Sequence, residues 1–178
     1  MAPFDPTADL TQDLAYRLLV NSPVTLYRRP RILEQDTNWL AGRGYQIVRI
    51  DAARSRTELG FYDDIAAALE FPGYFGRNLD ALNDCMRDVV TQEYGWKPDT
   101  TGLVIVFTGY HAAVAGWPRV AQIVLDIMAD HSRAAALFGG RLLCLVQTDE
   151  PDARFEPVGG SHVQWNHAEW LDSHRRAD

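Results

Sequence analysis

The chain has 178 residues, 47% of them hydrophobic, and carries a formal net charge of −7 at pH 7. A chain of this length and apolar content buries a core without help from metals or disulfide bonds. Its acidic balance argues against direct binding to DNA or RNA, because a nucleic-acid contact surface has to neutralise phosphates.

The start of the chain and its two cysteines predict a cytoplasmic location. Residues 1–6 contain no basic cluster, and no apolar run approaches the roughly 18 residues that span a bilayer. Cys85 and Cys144 lie in segments that read as helix and strand, which favours buried free thiols in a reducing compartment over a disulfide framework. We therefore expect a cytoplasmic protein that is not inserted into a membrane.

The first 50 residues predict a short helix followed by a β-α-β unit. The short helix carries Leu14, Leu18 and Leu19 at helical spacing, with Thr11 as its N-cap. The predicted elements, in chain order, are a helix over residues 10–20, a strand at Val24–Tyr27, a helix over residues 31–41 that Pro30 opens, and a strand over residues 45–50.

Two helices separated by a glycine-containing loop are predicted next. Ser55 or Thr57 can cap the first helix, which ends before Pro72. The loop covers residues 71–77, and Asn78 is well placed to cap the second helix.

The second half of the chain predicts two buried strands and a long helix. Residues 103–107 and 142–146 are unbroken apolar runs, which indicates burial on both faces, as in a parallel sheet. Between them, a loop that contains His111 leads to a helix from Pro118 to about residue 138. From Pro151 onward we expect an irregular appendage, with a hairpin and a short helix around residues 168–174. Alternating strands and helices indicate an α/β fold, with a mainly parallel sheet of three to four strands flanked by helices.

The helix that begins at Asn78 separates apolar from charged residues. Its apolar stripe consists of Leu79, Leu82, Cys85, Met86 and Val89, and its opposite face of Asp80, Asn83, Asp84, Arg87 and Asp88. The surrounding stretch is acidic, since residues 62–93 contain seven acidic and two basic side chains. The helix dipole is enough to explain Asp80 in the first turn, but it has faded at Asp84, so Asp84 is a candidate binding residue.

Tyr74 and Phe75 precede this helix in a loop flanked by Gly73 and Gly76. Aromatic side chains on such a loop, beside a charged face, are typical of interface anchors. The alternative interpretation of Tyr74 is a ring that packs on the start of the helix.

Residues 69–85 read Leu-Glu-Phe-Pro-Gly-Tyr-Phe-Gly-Arg-Asn-Leu-Asp-Ala-Leu-Asn-Asp-Cys. This run strongly resembles the barstar family of ribonuclease inhibitors, whose pattern Leu-x-x-Pro-x-Tyr-aromatic-Gly-x-Asn-Leu-Asp-Ala-Leu-x-Asp-Cys it preserves with the spacing intact. A weaker resemblance extends over about residues 45–146. It implies a barstar-like core at residues 45–148 within a single domain of residues 1–178, with an N-terminal extension at residues 1–44 and a C-terminal appendage at residues 149–178.

The resemblance implies that the protein is not an enzyme but inhibits a guanyl-specific, barnase-like ribonuclease by imitating RNA phosphates. In the family, the aspartate that matches Asp84 takes the place of a substrate phosphate among cationic groups, and Asp80 corresponds to a second carboxylate at the rim. The partner-binding residues implied in this way are Tyr74, Phe75, Gly76, Asn78, Asp80, Asn83 and Asp84. The partner is then a secreted or toxin ribonuclease, no cofactor or metal is required, and we expect a monomer when the inhibitor is free.

The chain departs from the family pattern at three places. Asn83 stands where the family commonly has tryptophan, and Phe75 lacks the hydroxyl group of a tyrosine. Residues 134–140 contain no glutamate, although the best-known member of the family carries two near the end of its last helix. The outer contacts must therefore differ, and the target is either a relative of the usual ribonuclease or another secreted toxin.

An acid–base hydrolase is an alternative from another class. It would use His111 or His131 with Asp80 and Asp84 as acid and base groups. His111 is the better placed of the two histidines, because ligands of α/β domains bind beyond the carboxyl ends of the strands. The chain has no glycine-rich phosphate loop, nucleophile elbow or His-Glu-x-x-His motif, which argues against catalysis.

Two more alternatives concern metal binding and regulation. His162, His167 and His174 have spacings that match no familiar ligand pattern. A regulatory or interaction module that keeps the family fold without binding a ribonuclease is supported by Asn83 and by the absence of the late glutamates.

Overall fold

The computed structural model describes residues 13–176, which build one parallel sheet. The strands are β1 (Val24–Tyr27), β2 (Tyr45–Asp51), β3 (Gly102–Thr108), β4 (Leu142–Gln147) and β5 (Gln164–Trp165). They lie side by side in the order β2-β3-β4-β1-β5, and all four neighbouring pairs are parallel. The predicted α/β class and parallel sheet are confirmed, but the predicted count of three to four strands was one short.

Helices cover both faces of this sheet. They are α1 (Leu14–Asn21), α2 (Pro30–Gly42), α3 (Glu58–Ala68), α4 (Leu79–Val90), α5 (Tyr110–Gly116), α6 (Pro118–Leu137) and α7 (Asp172–Arg176). Alternate residues of β3 point to opposite faces, as the pleat of a strand requires. Leu103 and Ile105 pack with α3 to α6, whereas Val104 and Val106 pack with α1 and α2. The two faces therefore carry separate apolar clusters, and α4 belongs to the larger one.

The structure defines the starts of α1 and α3. Helix α1 begins at Leu14, where the Asp13 carboxylate accepts a hydrogen bond from the Tyr16 N–H at 3.0 Å. The predicted cap Thr11 and the predicted helix start at residue 10 lie outside the described residues. At α3 the cap is Thr57, which accepts from the Gly60 N–H, while the Ser55 hydroxyl donates to Asp64.

Helix α5 replaces the predicted loop after β3, so His111 lies on a helix. Gly109 precedes it with a left-handed φ of 61°, and a Cβ atom at Gly109 would lie 2.7 Å from the Cβ of Ala53. Glycine therefore permits both the turn and its close approach to the chain after β2.

The segment after Pro151 keeps a minimal form of the predicted hairpin and adds a strand that was not predicted. Its short strand β5 joins the sheet next to β1, and an isolated bridge between Val158 and Ser161 supplies antiparallel pairing. A 3-10 turn at His167–Glu169 precedes α7, which starts later than the predicted helix. This segment extends the sheet because the N–H of Asn166 donates to the Leu26 carbonyl at 2.8 Å, continuing the pairing of β5 with β1.

Within residues 13–176, no helix combines the length and apolar content that crossing a bilayer requires. Both cysteines are buried free thiols, Cys85 on α4 and Cys144 on β4.

Candidate protein-binding surface

The start of α4 is fixed by Asn78. Its side-chain oxygen accepts a hydrogen bond from the Ala81 N–H at 2.8 Å, and its amide nitrogen donates to the Gly76 carbonyl at 3.2 Å. A Cβ atom at Gly76 would lie 3.2 Å from that amide nitrogen and 3.3 Å from the Ala81 Cβ. The predicted cap is therefore present, and it holds the preceding loop close to the first turn of the helix.

The two adjacent aromatic residues of the loop face in different directions. Tyr74 is 79% exposed. Phe75 is half-buried, with its ring in edge-to-face contact with Phe71 at 5.1 Å and with Tyr62 at 6.3 Å between centroids. The structure thus presents the Tyr74 ring to solvent, whereas Phe75 ties the loop to the core.

Asp80 and Asp84 lie one helical turn apart on the exposed face of α4. The Asp84 side chain is 67% exposed, and one of its oxygens accepts from the Arg87 guanidinium at 3.1 Å. Asp80 makes no ion pair with any other residue of the range 13–176. An exposed pair at this spacing contributes only a few tenths of a kcal/mol, about 0.2–0.5 kcal/mol, so Arg87 does not commit the Asp84 carboxylate to an internal contact.

Two acids that precede α4, Asp63 and Asp64, are engaged within the fold. Asp63 forms an ion pair with the Arg77 guanidinium at 2.7 Å, and Asp64 accepts a hydrogen bond from the Ser55 hydroxyl at 2.6 Å. The Arg77 backbone has a left-handed φ of 50°. Arg77 therefore sits next to α4 with its charge directed toward Asp63 on α3. Among the three acids of α4, Asp80 and Asp84 are exposed, whereas Asp88 is half-buried.

Asn83 is connected to a buried histidine. Its side-chain oxygen lies 3.1 Å from Nε2 of His131 on α6. Burial lowers the pKa of the His131 ring, Arg87 lowers it further, and Asp130 and the contact with Asn83 oppose this shift. His131 is therefore neutral at pH 7 and donates from Nε2, while its Nδ1 has no hydrogen-bond partner among the described residues.

The Tyr94 side chain contacts α4, and the sequence pattern did not predict this contact. Its hydroxyl lies 3.2 Å from the Cys85 carbonyl and 3.2 Å from the Asp88 carboxylate. Burial raises the pKa of Tyr94 well above its ordinary value, so the hydroxyl remains a donor. Asp88 is thereby held against the fold and is less available to a partner than Asp84.

The catalytic and metal-binding alternatives find little geometric support. His131 bonds to Asn83 and makes no hydrogen bond to Asp80 or Asp84 within the described part of the chain. His111 lies beside Asp149, and the backbone N–H of Asp149 donates a hydrogen bond to Nδ1 of His111 at 3.4 Å. Across residues 13–176, no three histidine, cysteine or carboxylate side chains converge as metal ligands.

Comparison with known proteins identifies the family. A family model described as Barstar (barnase inhibitor) matches residues 45–147, more than half of the chain. The chain belongs to the barstar family. The match covers β2 to β4 and the helices between them, including the whole of α4. A barstar-family domain indicates an inhibitor-like role with a protein partner, in a family that is generally not enzymatic.

The other comparisons are distant. No curated protein matches the chain. Among solved structures, the chain is similar to a Walker-type ATPase of Pyrococcus abyssi, with 12% identity and a TM-score of 0.41. The similarity covers 75% of this chain and 42% of the ATPase, so the chain spans less than half of that protein's length.

Proposed function

We propose that this barstar-family protein inhibits a guanyl-specific, barnase-like ribonuclease by inserting the exposed face of α4 and the Tyr74 loop into the active site. The observation that carries the proposal is the exposure of Asp80 and Asp84 on one helix face, beside an exposed Tyr74. A ribonuclease active site is cationic, because it binds the phosphates of RNA. Two carboxylates on a rigid helix complement that charge without large rearrangement.

In this mechanism, Asp84 takes the position of a substrate phosphate. On binding, its carboxylate exchanges the exposed contact with Arg87 for arginine or lysine groups of the enzyme, which hold it through shorter, charge-assisted hydrogen bonds. Asp80 meets a second cation at the rim. Tyr74 contributes aromatic contact area from the loop.

The remaining residues of the proposed surface shape its geometry. Gly76 allows the backbone of the loop to approach the partner closely, and Asn78 caps the first turn of α4. Phe75 contributes mainly by holding the loop from within, and Asn83 by joining α4 to α6. The full proposed set is Tyr74, Phe75, Gly76, Asn78, Asp80, Asn83 and Asp84.

We further propose that the inhibitor acts in the cytoplasm as an immunity protein and is monomeric when free. Protection of this kind requires a neutralising protein in the compartment where the nuclease is made. The buried free thiols of Cys85 and Cys144 are consistent with a reducing compartment.

A second candidate is a barstar-fold interaction module, or an immunity protein against a different toxin. The contact between Asn83 and His131 favours it, because a position that carries tryptophan in the family is here engaged in a polar contact within the fold. Under this alternative, α4 and its loop still bind a protein, but not a ribonuclease of the barnase kind.

Inhibition assays separate the two candidates. Purified protein is mixed at equimolar ratio with each member of a panel of guanyl-specific ribonucleases that includes barnase, and RNA cleavage is measured. The first proposal expects cleavage to be abolished for at least one member. Full cleavage by every member would contradict it and favour the second candidate.

A further inference from the structure

The segment after β4 encloses a cavity of about 610 Å³ against β1. Its lining includes the aromatic residues Phe155, Trp165 and Trp170, together with Leu26 of β1. Small-molecule sites in proteins typically have volumes of about 300–1,000 Å³ and combine aromatic side chains with a few polar groups. Among the described residues that line this cavity, none belongs to α4 or to the Tyr74 loop. The cavity is therefore separate from the proposed inhibitory surface.

The aromatic part of the lining is rigid on one side and open on the other. Phe155 and Trp165 are half-buried and pack on the larger apolar cluster, and the Phe155 ring lies 6.2 Å from the Tyr110 ring between centroids. Trp170 is 56% exposed. Stacking a planar ligand on an exposed aromatic ring buries apolar surface and is favourable. A flat, apolar group thus gains contact area here without displacing the core.

Both carboxylates of the lining are already engaged with arginines. Asp172 forms ion pairs with Arg175 at 3.3 Å and with Arg176 at 3.0 Å, and Asp152 also pairs with Arg176. The Arg175 guanidinium lies 4.8 Å from the centroid of the Trp165 ring. On that face of Trp165, the position that a cationic ligand would take is therefore filled by a side chain of the protein.

Arg154 adds a positive charge that the fold does not balance. It lines the cavity, is exposed, and has no ion pair with any residue of the range 13–176. Glu156 is close to Arg154 in the chain, but it is not part of the lining, and its backbone is bonded to the Gln122 side chain on α6. A guanidinium binds a carboxylate through charge-assisted, often bidentate hydrogen bonds. The uncompensated charge at this cavity therefore favours an anionic ligand.

We propose that the cavity binds a small aromatic carboxylate, whose ring stacks on Trp170 and whose carboxylate pairs with Arg154. A cation of the same shape is disfavoured, because it meets Arg154 and the Arg175 guanidinium while both acids of the lining are engaged. Apart from Leu26, the lining residues follow the family-matched region 45–147. The site is thus an addition to the barstar-like part of the chain, and it goes beyond the proposed inhibition.

Three indole compounds that differ in the charge of their side chain test the proposal: indoleacetate, which is anionic, tryptophol, which is neutral, and tryptamine, which is cationic. Their affinities for the full chain are measured by NMR titration of the isotope-labelled protein. We expect indoleacetate to bind at least about fivefold more tightly than tryptophol, because a hydrogen bond to a charged group contributes about 1.5 kcal/mol or more. Tryptamine is expected to bind more weakly than tryptophol.

The indole N–H signals of the protein show where the compounds bind. The signals of Trp165 and Trp170 are expected to shift with the same dissociation constant. Trp39 is the internal reference, since it packs with the apolar cluster on the other face of the sheet. Its signal is expected to stay unchanged.

Two variants and a matched control separate charge from stacking. Arg154→Gln removes the charge and is expected to weaken indoleacetate about fivefold while leaving tryptophol unchanged. Trp170→Ala is expected to weaken both compounds. Arg119→Gln is the control, because Arg119 is also exposed and has no ion pair within residues 13–176, but lies at the start of α6 and does not line this cavity. It should leave both affinities unchanged.

Several results would overturn the inference. One is the absence of shifts at Trp165 and Trp170 with millimolar indoleacetate. Another is equal affinity for the three compounds, which assigns the cavity to apolar molecules of any charge, and a third is tightest binding of tryptamine, which assigns it to cations. An equal effect of Arg154→Gln and Arg119→Gln on indoleacetate also contradicts it. All of these leave the proposed inhibition intact, since the ribonuclease panel tests that function separately.

Discussion

Asp84 is the side chain on which the proposed inhibition depends most. It is exposed, lies past the first turn of α4, and has an arginine of its own helix as a weak partner. Asp64 is an acid of the same stretch, but it accepts a hydrogen bond from the Ser55 hydroxyl and lies on α3. Comparing substitutions at Asp84 and Asp64 therefore distinguishes the effect of the position of a carboxylate on inhibition from the effect of the total charge.

Asp84→Ala is expected to weaken inhibition at least about 30-fold, because loss of one partner from a desolvated charge pair costs about 2 kcal/mol or more. Asp64→Ala removes the same charge and is expected to change inhibition only a few-fold. Dissociation rates of both variants from the inhibited ribonuclease check this. Equal rates for the two variants would remove Asp84 from the role of phosphate mimic.

Tyr74 and Phe75 show what the sequence could and could not predict about the site. Their position in a glycine-flanked loop before an acidic helix is visible in the sequence, and the loop and the Asn78 cap are present in the structure. Which ring faces solvent depends on Phe71 and Tyr62, which surround only Phe75. The contact between Asn83 and His131 joins residues 48 positions apart and could not be predicted from local spacing.

At the scale of elements, helices α4 and α6 share a buried polar contact. His131 is neutral, with an Nδ1 atom that has no partner among the described residues. Protonation of the ring adds a positive charge near Arg87 and leaves the new Nδ1–H group without an acceptor among the described residues. The negative charge of Asp130 offsets only part of this cost. The packing of α4 on α6 is therefore sensitive to acid.

The pH dependence follows from the direction of the shift. The folded-state pKa of His131 is below its ordinary value of 6.5, so the unfolded chain binds this proton first. The contribution of neutral His131 to the free energy of unfolding is complete above pH 6.5, and it is lost as the pH falls from there through the folded-state pKa. Urea unfolding at pH 7.5 and at pH values below 6.5 should show this loss, and His131→Gln, which keeps a donor for Asn83, should reduce it. An unchanged pH slope in His131→Gln would contradict the prediction.

The elements that sequence analysis missed share a physical cause. Helix α5 depends on the left-handed turn at Gly109, and β5 is a two-residue strand. Such short elements have little periodicity of their own. They form because they pack on a neighbouring helix or pair with a neighbouring strand, as α5 does with α6 and β5 with β1. Longer elements with strong apolar patterns, such as β3, β4 and α6, were predicted close to their observed bounds.

At the scale of the whole molecule, the C-terminal segment is fastened to the start of α2. The Glu169 carboxylate is fully buried and accepts from the N–H groups of Arg28 and Arg29, both at 2.9 Å. Arg29 precedes α2 and makes no side-chain cap of its own. We propose that the chain folds as a single domain in which this contact joins the segment after β4 to the N-terminal part.

Glu169→Ala is expected to lower the free energy of unfolding by about 2–5 kcal/mol, because the part-buried N–H groups of Arg28 and Arg29 lose their acceptor. Glu150→Ala is the control, since Glu150 is exposed, and it should change stability by less than about 0.5 kcal/mol. Urea unfolding followed by tryptophan fluorescence and by circular dichroism measures both variants. Coincident transitions by the two probes are expected of one domain, and a separate early transition of the tail would contradict it.

The pairing of β1 with β4 has a consequence for how this protein can be divided. Four residues of β1, from Val24 to Tyr27, run alongside Cys144 to Gln147, so the family-matched region ends on a strand whose outer side is covered by chain from outside that region. Cutting the chain to residues 45–147 strips this cover and leaves a row of unpaired amide and carbonyl groups along an apolar strand. Bare strands of this kind recruit strands of other molecules. We therefore expect residues 45–147 alone to self-associate more readily than the full chain.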